Sequence, residues 1–492
     1  MLAAPTAVVS KAGRGSSPWL RSPDSLALCF WHAGAVALAL IGFGSVMGCS
    51  AEREEAQPNA LAVDTTHTEY FVPLPPLAEG RYVLAADLAI GQDRALHCVV
   101  SISYGPKGAS TGTNLYYLRG ERQSAGWDWS LPQVIVRDRA RNARVLIAGD
   151  RLHILTGLFI DHYISEDNGR TWRDDGALVD RDSASTSIVD VASVGDTLIV
   201  AYTSWLRSPS GPFREDDSRT RLHVVRWLPN GARRDEVLAE YPVPARSTPG
   251  PRLAVAGRAV HLIAGIRDDP KDWSAGTGIQ LSPRGSIMQF DYYRSADAGR
   301  TWTRRSGLPL PREVDLGKYG TVGDVGFRSP DLALAASATD AWAFWGLTAL
   351  HGHRLLGDDH WGEAQSLSDH PIKESDPILG SVSIQAVGVK AGTIAAWISM
   401  AHARPETGPD WYPNSDIYLT LLAREDPRPR HVRITGATTY PRAIRMRAQG
   451  DSVYILRQGF DTTSPDGYDP NRRCSFYCIP IERLFPTTGV VR

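Results

Sequence analysis

Four arginines stand at or just before the start of apolar, strand-like segments that are widely separated in the chain. They are Arg144, Arg252, Arg328 and Arg442. A guanidinium is planar and presents its donors as a fork, so it binds a carboxylate through two parallel hydrogen bonds. If the segments converge, their arginines predict a clamp for an anionic ligand. The alternative is structural, because arginines repeated at one position can also pair with neighbouring turns.

Long polar segments between the same strands contain aromatic residues beside acids and arginines. Examples are Trp273 in "RDDPKDWSAGTGIQLSPRGS" and Trp411 in "AHARPETGPDWYPNSD". An aromatic ring offers a flat apolar face on which a sugar can stack, and neighbouring polar groups can pair with sugar hydroxyls. These segments predict glycan binding. Loop decoration with half-buried rings remains the open alternative.

Two segments contain residue types that bind metal ions. "HGHRLLGDDHWGE" contains His351, His353, Asp358, His360 and Glu363. Because His351 and His353 share one face of a strand, zinc is geometrically possible, but the spacing matches no established zinc motif. "DTTSPDGYD" contains Asp461, Asp466 and Asp469 near a glycine, without the spacing of an EF-hand. We therefore expect no metal site and no cofactor, with Ca²⁺ left open.

The elements that must position these residues are short strands. Past residue 80, apolar and polar residues alternate, and a strand–turn–strand unit recurs. The units span 82–103, 143–158, 187–204, 251–266, 330–347, 383–400 and 442–459. A third strand follows each unit and is least distinct in the fifth. Four-stranded antiparallel sheets stacked around an axis make an all-β fold, a β-propeller of seven blades. Six blades is the alternative, if the fifth or last unit is an insertion.

The pattern Ser-x-Asp-x-Gly-x-Thr-Trp, here called the octapeptide, occurs twice, and "VVRWLPNGARR" is a degenerate third copy. Its positions are Ser165, Asp167, Gly169, Thr171, Trp172, Ser295, Asp297, Gly299, Thr301 and Trp302. All three copies fall at predicted hairpins between third and fourth strands. The aspartate can accept backbone N–H groups, the glycine can adopt positive φ, and the tryptophan can cover the hairpin. No nucleophile or acid–base pair is assembled, so the pattern predicts a structural joint.

The octapeptide is the Asp-box, or BNR repeat, and the chain resembles the sialidase-like Asp-box propellers over roughly residues 80 to 486. The resemblance implies an exo-glycosidase of the sialidase type or a non-catalytic propeller that binds glycan or protein. A sialidase has three arginines for the substrate carboxylate, a tyrosine nucleophile with a glutamate partner, and an aspartate acid/base.

Carried onto this sequence, the resemblance implies Tyr440 as the nucleophile. It implies Glu313 or Glu374 as the partner of that tyrosine, and Asp138 or Asp324 as the general acid. The Phe/Tyr-Arg-Ile-Pro stretch that carries the family's first arginine is absent, and "EGRYVLAAD" stands in its place.

The N-terminus predicts export. Basic residues precede the apolar segment 26–49, as in an export signal, and "VMGCS" resembles a bacterial lipobox with Cys49 as the lipidated residue. An uncleaved anchor is the alternative, because this segment is just long enough to span a bilayer. We expect an export signal over 1–49, a polar tether over 50–68 and the propeller over 69–492, placed at the cell envelope or secreted.

Charge and cysteine content limit the possible partners. The formal net charge is −1, and neither a nucleotide-binding loop nor a basic helix is present, so we expect no nucleic acid. The expected partner is a glycan or glycoconjugate, with membrane contact only through the N-terminal lipid or anchor, and the chain is expected to be a monomer. Cys98 is expected to be a buried thiol. Cys474 and Cys478 would lie about 13 Å apart on an extended strand, too far to bridge each other.

Overall fold

The structure is a computed structural model. It describes residues 61–64, 69–75, 82–104, 112–124, 126–140, 142–157, 159–179, 184–206, 220–241, 250–267, 287–308, 331–346, 350–357, 360–367, 382–399, 416–426, 428–435, 439–461 and 474–485. Cys49 and the expected export signal lie outside the described residues. In the ranges above, no helix has the length and apolar character that crossing a bilayer requires.

The described strands belong to one compact unit, Pro58–Arg492. Two strands precede the first blade, β1 (Leu61–Asp64) and β2 (Glu69–Phe71). Blade 1 contains β3 (Tyr82–Ile90), β4 (Leu96–Tyr104), β5 (Gly112–Gln123), β6 (Gly126–Trp129) and β7 (Gln133–Val136). Blade 2 contains β8 (Arg144–Ala148), β9 (Arg151–Thr156), β10 (Asp161–Ser165) and β11 (Arg173–Ala177). Blade 3 contains β12 (Ala184–Val194), β13 (Thr197–Leu206), β14 (Thr220–Trp227) and β15 (Arg233–Tyr241).

Four further blades follow. Blade 4 contains β16 (Arg252–Ala256), β17 (Ala259–Arg267), β18 (Ile287–Ser295) and β19 (Thr303–Leu308). Blade 5 contains β20 (Asp331–Ala336), β21 (Ala341–Gly346), β22 (Leu350–Leu356), β23 (His360–Trp361) and β24 (Gln365–Ser366). Blade 6 contains β25 (Val382–Val389), β26 (Gly392–Ser399), β27 (Asp416–Ala423) and β28 (Arg430–Thr435). Blade 7 contains β29 (Thr439–Gln449), β30 (Ser452–Asp461) and β31 (Cys474–Pro480), and the short helix α1 (Ile481–Leu484) follows.

Each blade is a sheet in which the first strands follow one another as antiparallel neighbours, from an inner strand at the axis towards an outer edge. In blade 1 the outer strands β6 and β7 both pair with β5. The inner strands contact one another in the cyclic order β3, β8, β12, β16, β20, β25 and β29, and β29 returns to contact β3. The predicted seven-bladed propeller is therefore confirmed, and the six-bladed alternative is wrong. The fifth unit forms a blade whose short outer strands β23 and β24 both pair with β22.

The N-terminal strands complete the edges of the last two blades. β2 pairs antiparallel with β31 and so supplies the outer strand of blade 7. β1 pairs parallel with β28 at the edge of blade 6. Residues 61–64 were expected in a polar tether and instead form a strand, because the unpaired backbone groups of an edge strand readily accept another strand. The propeller therefore begins before residue 69.

The hydrophobic core consists of seven separate clusters, one at each seam between neighbouring blades. Strand β17 shows how the sequence produces this arrangement. Leu262 and Ala264 pack against blade 3, whereas Ile263 between them packs against blade 5. Because successive side chains of a strand point to opposite faces, a strand buried on both faces carries apolar residues at successive positions.

Three blades bury a polar pair that joins the second strand to the third through a histidine Nδ1. The pairs are His97–Tyr117 at 2.7 Å, His153–His162 at 3.0 Å and His261–Tyr292 at 2.8 Å. Burial lowers the pKa of His97, His153 and His261 to about 4 and that of His162 to about 2. These four histidines are therefore neutral at pH 7.

The cysteines occupy the positions that the sequence predicts. Cys98 is a buried thiol in the middle of β4. Cys474 and Cys478 are buried in the extended strand β31 and are not bridged to each other.

Candidate functional site

Charged residues from the inner strands of five blades meet around the propeller axis, and we call this group the axial cluster. It comprises Asp87, Arg144, Asp190, Arg252, Arg445 and Arg447. Arg144 and Arg252 are the first residues of their inner strands, whereas Arg445 and Arg447 lie further along β29. The ring of blades brings these residues together although they are far apart in the chain.

The two aspartates of the axial cluster link inner strands of neighbouring blades. These strands belong to different sheets and share no strand pairing. Asp87 Oδ2 on β3 accepts the backbone N–H of Val145 on β8 at 3.2 Å. Asp190 Oδ2 on β12 accepts that of Leu253 on β16 at 2.8 Å. Carboxylates satisfy backbone donors here that no sheet partner reaches, so their primary role is structural.

The four arginines of the axial cluster differ in their hydrogen-bond partners. Arg447 Nη2 lies 3.3 Å from both carboxylate oxygens of Asp87. Arg252 donates through Nε to the carbonyl of Leu332 on the next blade at 2.6 Å. Within the described ranges, Arg144 and Arg445 donate only to the carbonyl of the residue before them, at 3.1 and 3.0 Å. The buried Nε of Arg445 has no hydrogen-bond partner within the described ranges.

The axial cluster carries an excess of positive charge. Among the described residues it contains four guanidiniums and two carboxylates, which leaves two positive charges unmatched. Burial, followed by repulsion from Arg144, lowers the pKa of Arg445 to about 9, and burial also lowers the pKa of Arg144. Both arginines still carry their charge at pH 7. Because a buried charge is costly without a partner, an anion bound here is stabilised.

The structure brings together two of the four arginines that the sequence singles out, Arg144 and Arg252. Arg442 lies on the inner strand β29, as does Tyr440, but the side chains of both are outside the described part. The other expected ligand-binding and catalytic residues on loops lie outside the described residues altogether. They are Arg328, Trp273, Trp411, Glu313, Glu374 and Asp324.

Asp138, an expected general acid, is exposed in a turn with a φ of 63°. Its backbone N–H donates to Asn114 Oδ1 at 3.0 Å. Its carboxylate lies over Gly112, where an added Cβ would be 2.7 Å from Oδ1. These contacts lie at the start of the third strand of blade 1, not with the inner strands of the axial cluster.

Sequence reasoning missed four members of the axial cluster, namely Asp87, Asp190, Arg445 and Arg447. A signal was present, since each is a charged residue inside an otherwise apolar inner strand, as in "YVLAADLAI" and "AIRMRAQ". Because charged side chains are seldom buried unless they are paired, such a residue predicts further charged groups near the axis.

The two octapeptides lie in the hairpins β10–β11 and β18–β19 and have nearly identical hydrogen bonds. In the first, Ser165 Oγ donates to Asp167 Oδ1 and accepts the N–H of Gly169, both at 2.8 Å. The Oδ1 atom of Asp167 also accepts the N–H of Thr171 at 2.8 Å. Ser295, Asp297, Gly299 and Thr301 repeat these bonds at 2.8, 2.8 and 2.9 Å. The side-chain oxygens of the serine, aspartate and threonine all bond within the turn, as a structural joint requires.

The octapeptide also packs each hairpin onto the blade before it. Trp172 meets the ring of Tyr117, on the third strand of blade 1, edge-on at 5.0 Å. Gly169 lies so close to Tyr117 that an added Cβ would be 1.9 Å from its hydroxyl oxygen. In the degenerate copy of blade 3, a Cβ on Gly231 would meet nothing within 4 Å. The intact pattern therefore fills a seam that the degenerate copy leaves open.

Neither metal interpretation gains support from the described side chains. His353 Nε2 accepts from Trp345 Nε1 at 3.0 Å, and His353 Nδ1 donates to the carbonyl of Gly362 at 2.9 Å, so neither ring nitrogen is free for zinc. Within the described ranges, no group of three or more His, Cys, Asp or Glu residues is arranged to hold a metal. Asp466 and Asp469 lie outside those ranges.

Among known proteins, this chain is similar to solved structures but matches no family model and no curated protein. Solved structures that match include an α-L-arabinanase from Penicillium chrysogenum, at 12% identity over 84% of this chain and 98% of that chain, with a TM-score of 0.38. The intramolecular trans-sialidase from Ruminococcus gnavus matches at 10% identity over 82% and 95%, with a TM-score of 0.37. The polysaccharide lyase Uly1 matches at 9% identity over 86% and 94%, with a TM-score of 0.47.

The neighbours thus include a sialidase and other propeller enzymes that act on carbohydrates. At these identities the similarity concerns chain topology, and a shared fold does not determine a reaction.

Proposed function

We propose that this protein is an exported β-propeller that binds acidic glycans at the end of its axis where the inner strands begin. The observation that supports this most is the axial cluster, with two unmatched positive charges and with Arg144 and Arg252 at the start of their strands. A sugar carboxylate, as in a sialic or uronic acid, fits the guanidinium fork. The aromatic residues Trp273 and Trp411 would supply the stacking surfaces for the sugar rings.

Lipidation at Cys49 is part of this proposal and places the propeller at the cell envelope. We expect Cys49→Ser to move the protein from the membrane fraction to the soluble fraction, or to leave an unprocessed precursor. Unchanged fractionation together with an unchanged processed mass would exclude the lipid anchor.

The binding prediction concerns Arg144 and Arg252. We expect Arg144→Lys and Arg252→Lys each to weaken binding of a sialylated or uronic acid oligosaccharide about tenfold to a hundredfold, because a charge-assisted bidentate pair contributes about 1.5–3 kcal/mol. Lysine keeps the charge and removes only the fork. Isothermal titration calorimetry measures the affinity, and thermal melting confirms that each variant is folded, since Arg252 also donates to Leu332.

Arg428→Lys is the matched control, because Arg428 is exposed and pairs with Asp426 in the loop before β28. We expect it to bind like the parent protein. Equal affinity for acidic oligosaccharides and their neutral analogues, or undiminished binding by both axial variants, would reject the anion clamp.

Catalysis is the second candidate function. It is favoured by the position of Tyr440 on β29, the inner strand that also carries Arg445 and Arg447. In an exo-glycosidase of the sialidase type, Tyr440 would form the covalent intermediate, with Glu313 as its partner and Asp138 as the general acid. Tyr440→Phe would then abolish turnover of fluorogenic sialosides and leave binding intact. A pure protein that binds acidic glycans and cleaves none of them would be a binding propeller.

A further inference from the structure

The ring of blades closes at the seam between blade 7 and blade 1, where the described contacts are hydrogen bonds and apolar packing. Gln458 Nε2 on β30 donates to the carbonyl of Val83 on β3 at 2.7 Å. Gln449 Nε2 on β29 donates to the carbonyl of Gly91 at 2.7 Å. Apolar residues of both blades form one buried cluster between these bonds. Blades 1 and 7 are the first and the last blade of the chain, so the ring closes at this seam.

Two thiols meet inside this seam. Cys98 on β4 of blade 1 and Cys474 on β31 of blade 7 are each 1% exposed and belong to the same buried cluster. The side chain of Cys474 across the seam, together with burial, raises the pKa of the Cys98 thiol. Cys478, further along β31, belongs to the cluster too, but its partner in register is Tyr454 of its own blade.

We propose that Cys98 and Cys474 form a disulfide that covalently joins the first blade to the last when the protein folds in an oxidising compartment. The two thiols lose two protons and two electrons as the Sγ–Sγ bond forms. A small disulfide such as oxidised glutathione accepts them, and its own S–S bond breaks to give two thiols. The proposal goes beyond glycan binding and is independent of which ligand the axis takes.

Face-packed β-sheets accept such a bond, as in immunoglobulin domains, where a disulfide joins the two sheets through the core. The bond would close a loop that contains nearly the whole propeller, and cross-links across long loops restrict the unfolded chain most. Export is the condition that makes oxidation available, because disulfides persist in exported proteins and are rare in the cytosol.

Burial determines when the bond forms. Because the thiolate is the reacting species, and the side chain of Cys474 together with burial raises the pKa of Cys98, the folded reduced protein should react slowly. We therefore expect the bond to form during folding, before the seam closes.

The test refolds the full chain with a mixture of reduced and oxidised glutathione, and in parallel with reduced glutathione alone. Free thiols are then blocked under denaturing conditions and counted by intact mass. Non-reducing peptide mapping should show the peptide containing Cys98 linked to the peptide containing Cys474. The oxidised protein should melt about 5 °C or more above the reduced protein.

Cys478→Ser is the matched control, because it removes a buried thiol from the same strand and the same peptide. We expect Cys478→Ser to retain the cross-link and the shift in melting temperature, and Cys98→Ser and Cys474→Ser to lose both. Full recovery of the free thiols after oxidative refolding would overturn the proposal. A cross-link that survives Cys474→Ser but not Cys478→Ser would overturn it as well.

Discussion

Replacing Gly169 by alanine is expected to destabilise the propeller by about 4 kcal/mol. Alanine at a positive φ, here 86°, costs about 1–2 kcal/mol, and forcing a methyl group into a filled space costs about 1–3 kcal/mol more. The methyl carbon would lie 1.9 Å from the hydroxyl oxygen of Tyr117, so the hairpin and the neighbouring blade must separate. The measurement is the free energy of unfolding in guanidinium chloride.

Gly231→Ala is the matched control for Gly169→Ala. Gly231 has a similar φ of 79° in the equivalent hairpin of blade 3, but an added methyl group would meet nothing within 4 Å. Only the backbone cost of about 1–2 kcal/mol is therefore expected. Gly299→Ala should fall between the two, since its methyl group would lie 3.1 Å from the flexible end of Ile199. Equal losses at Gly169 and Gly231 would show that the octapeptide does not pack the seam.

The buried histidines are expected to make the propeller sensitive to mild acid. An unfolded histidine titrates near pH 6.5, whereas burial holds the pKa of His97, His153 and His261 at about 4. Above pH 6.5 both states are neutral. As pH falls from 6.5 to 4, the unfolded state binds protons that the folded state excludes, so stability is lost in that window. At pH 5 the expected loss is about 2 kcal/mol for each histidine.

The measurement is the free energy of unfolding between pH 7.5 and pH 5, a range above that in which carboxylates usually titrate. In His261→Gln, the dependence on pH should be shallower than in the parent by about 1.4 kcal/mol per pH unit, the value of one proton. His360→Gln is the control, because His360 is exposed on the outer strand β23. The prediction fails if the pH dependence of His261→Gln is as steep as that of the parent protein.

The sequence by itself predicted the propeller and favoured seven blades over six. The alternation of side chains along a strand and the residue preferences of turns are local properties, so seven strand–turn–strand units can be recognised without knowing what they pack against. The hairpin position and internal bonding of the octapeptides follow from the same local chemistry, because Ser165, Asp167 and Thr171 bond only within their own turn. The burial of Cys98 also follows from its apolar strand.

Only the tertiary structure decided which residues meet. Asp87 and Arg447 are 360 residues apart, and closure of the ring alone places them in contact. The sequence indicated Arg144 and Arg252 because they begin strands, but not the carboxylates and further arginines that surround them. The packing of Trp172 on Tyr117 and the burial of Cys98 and Cys474 in one cluster are likewise set at seams between blades. Contacts across a seam depend on the register and orientation of two separate sheets, which no local pattern in either sheet encodes.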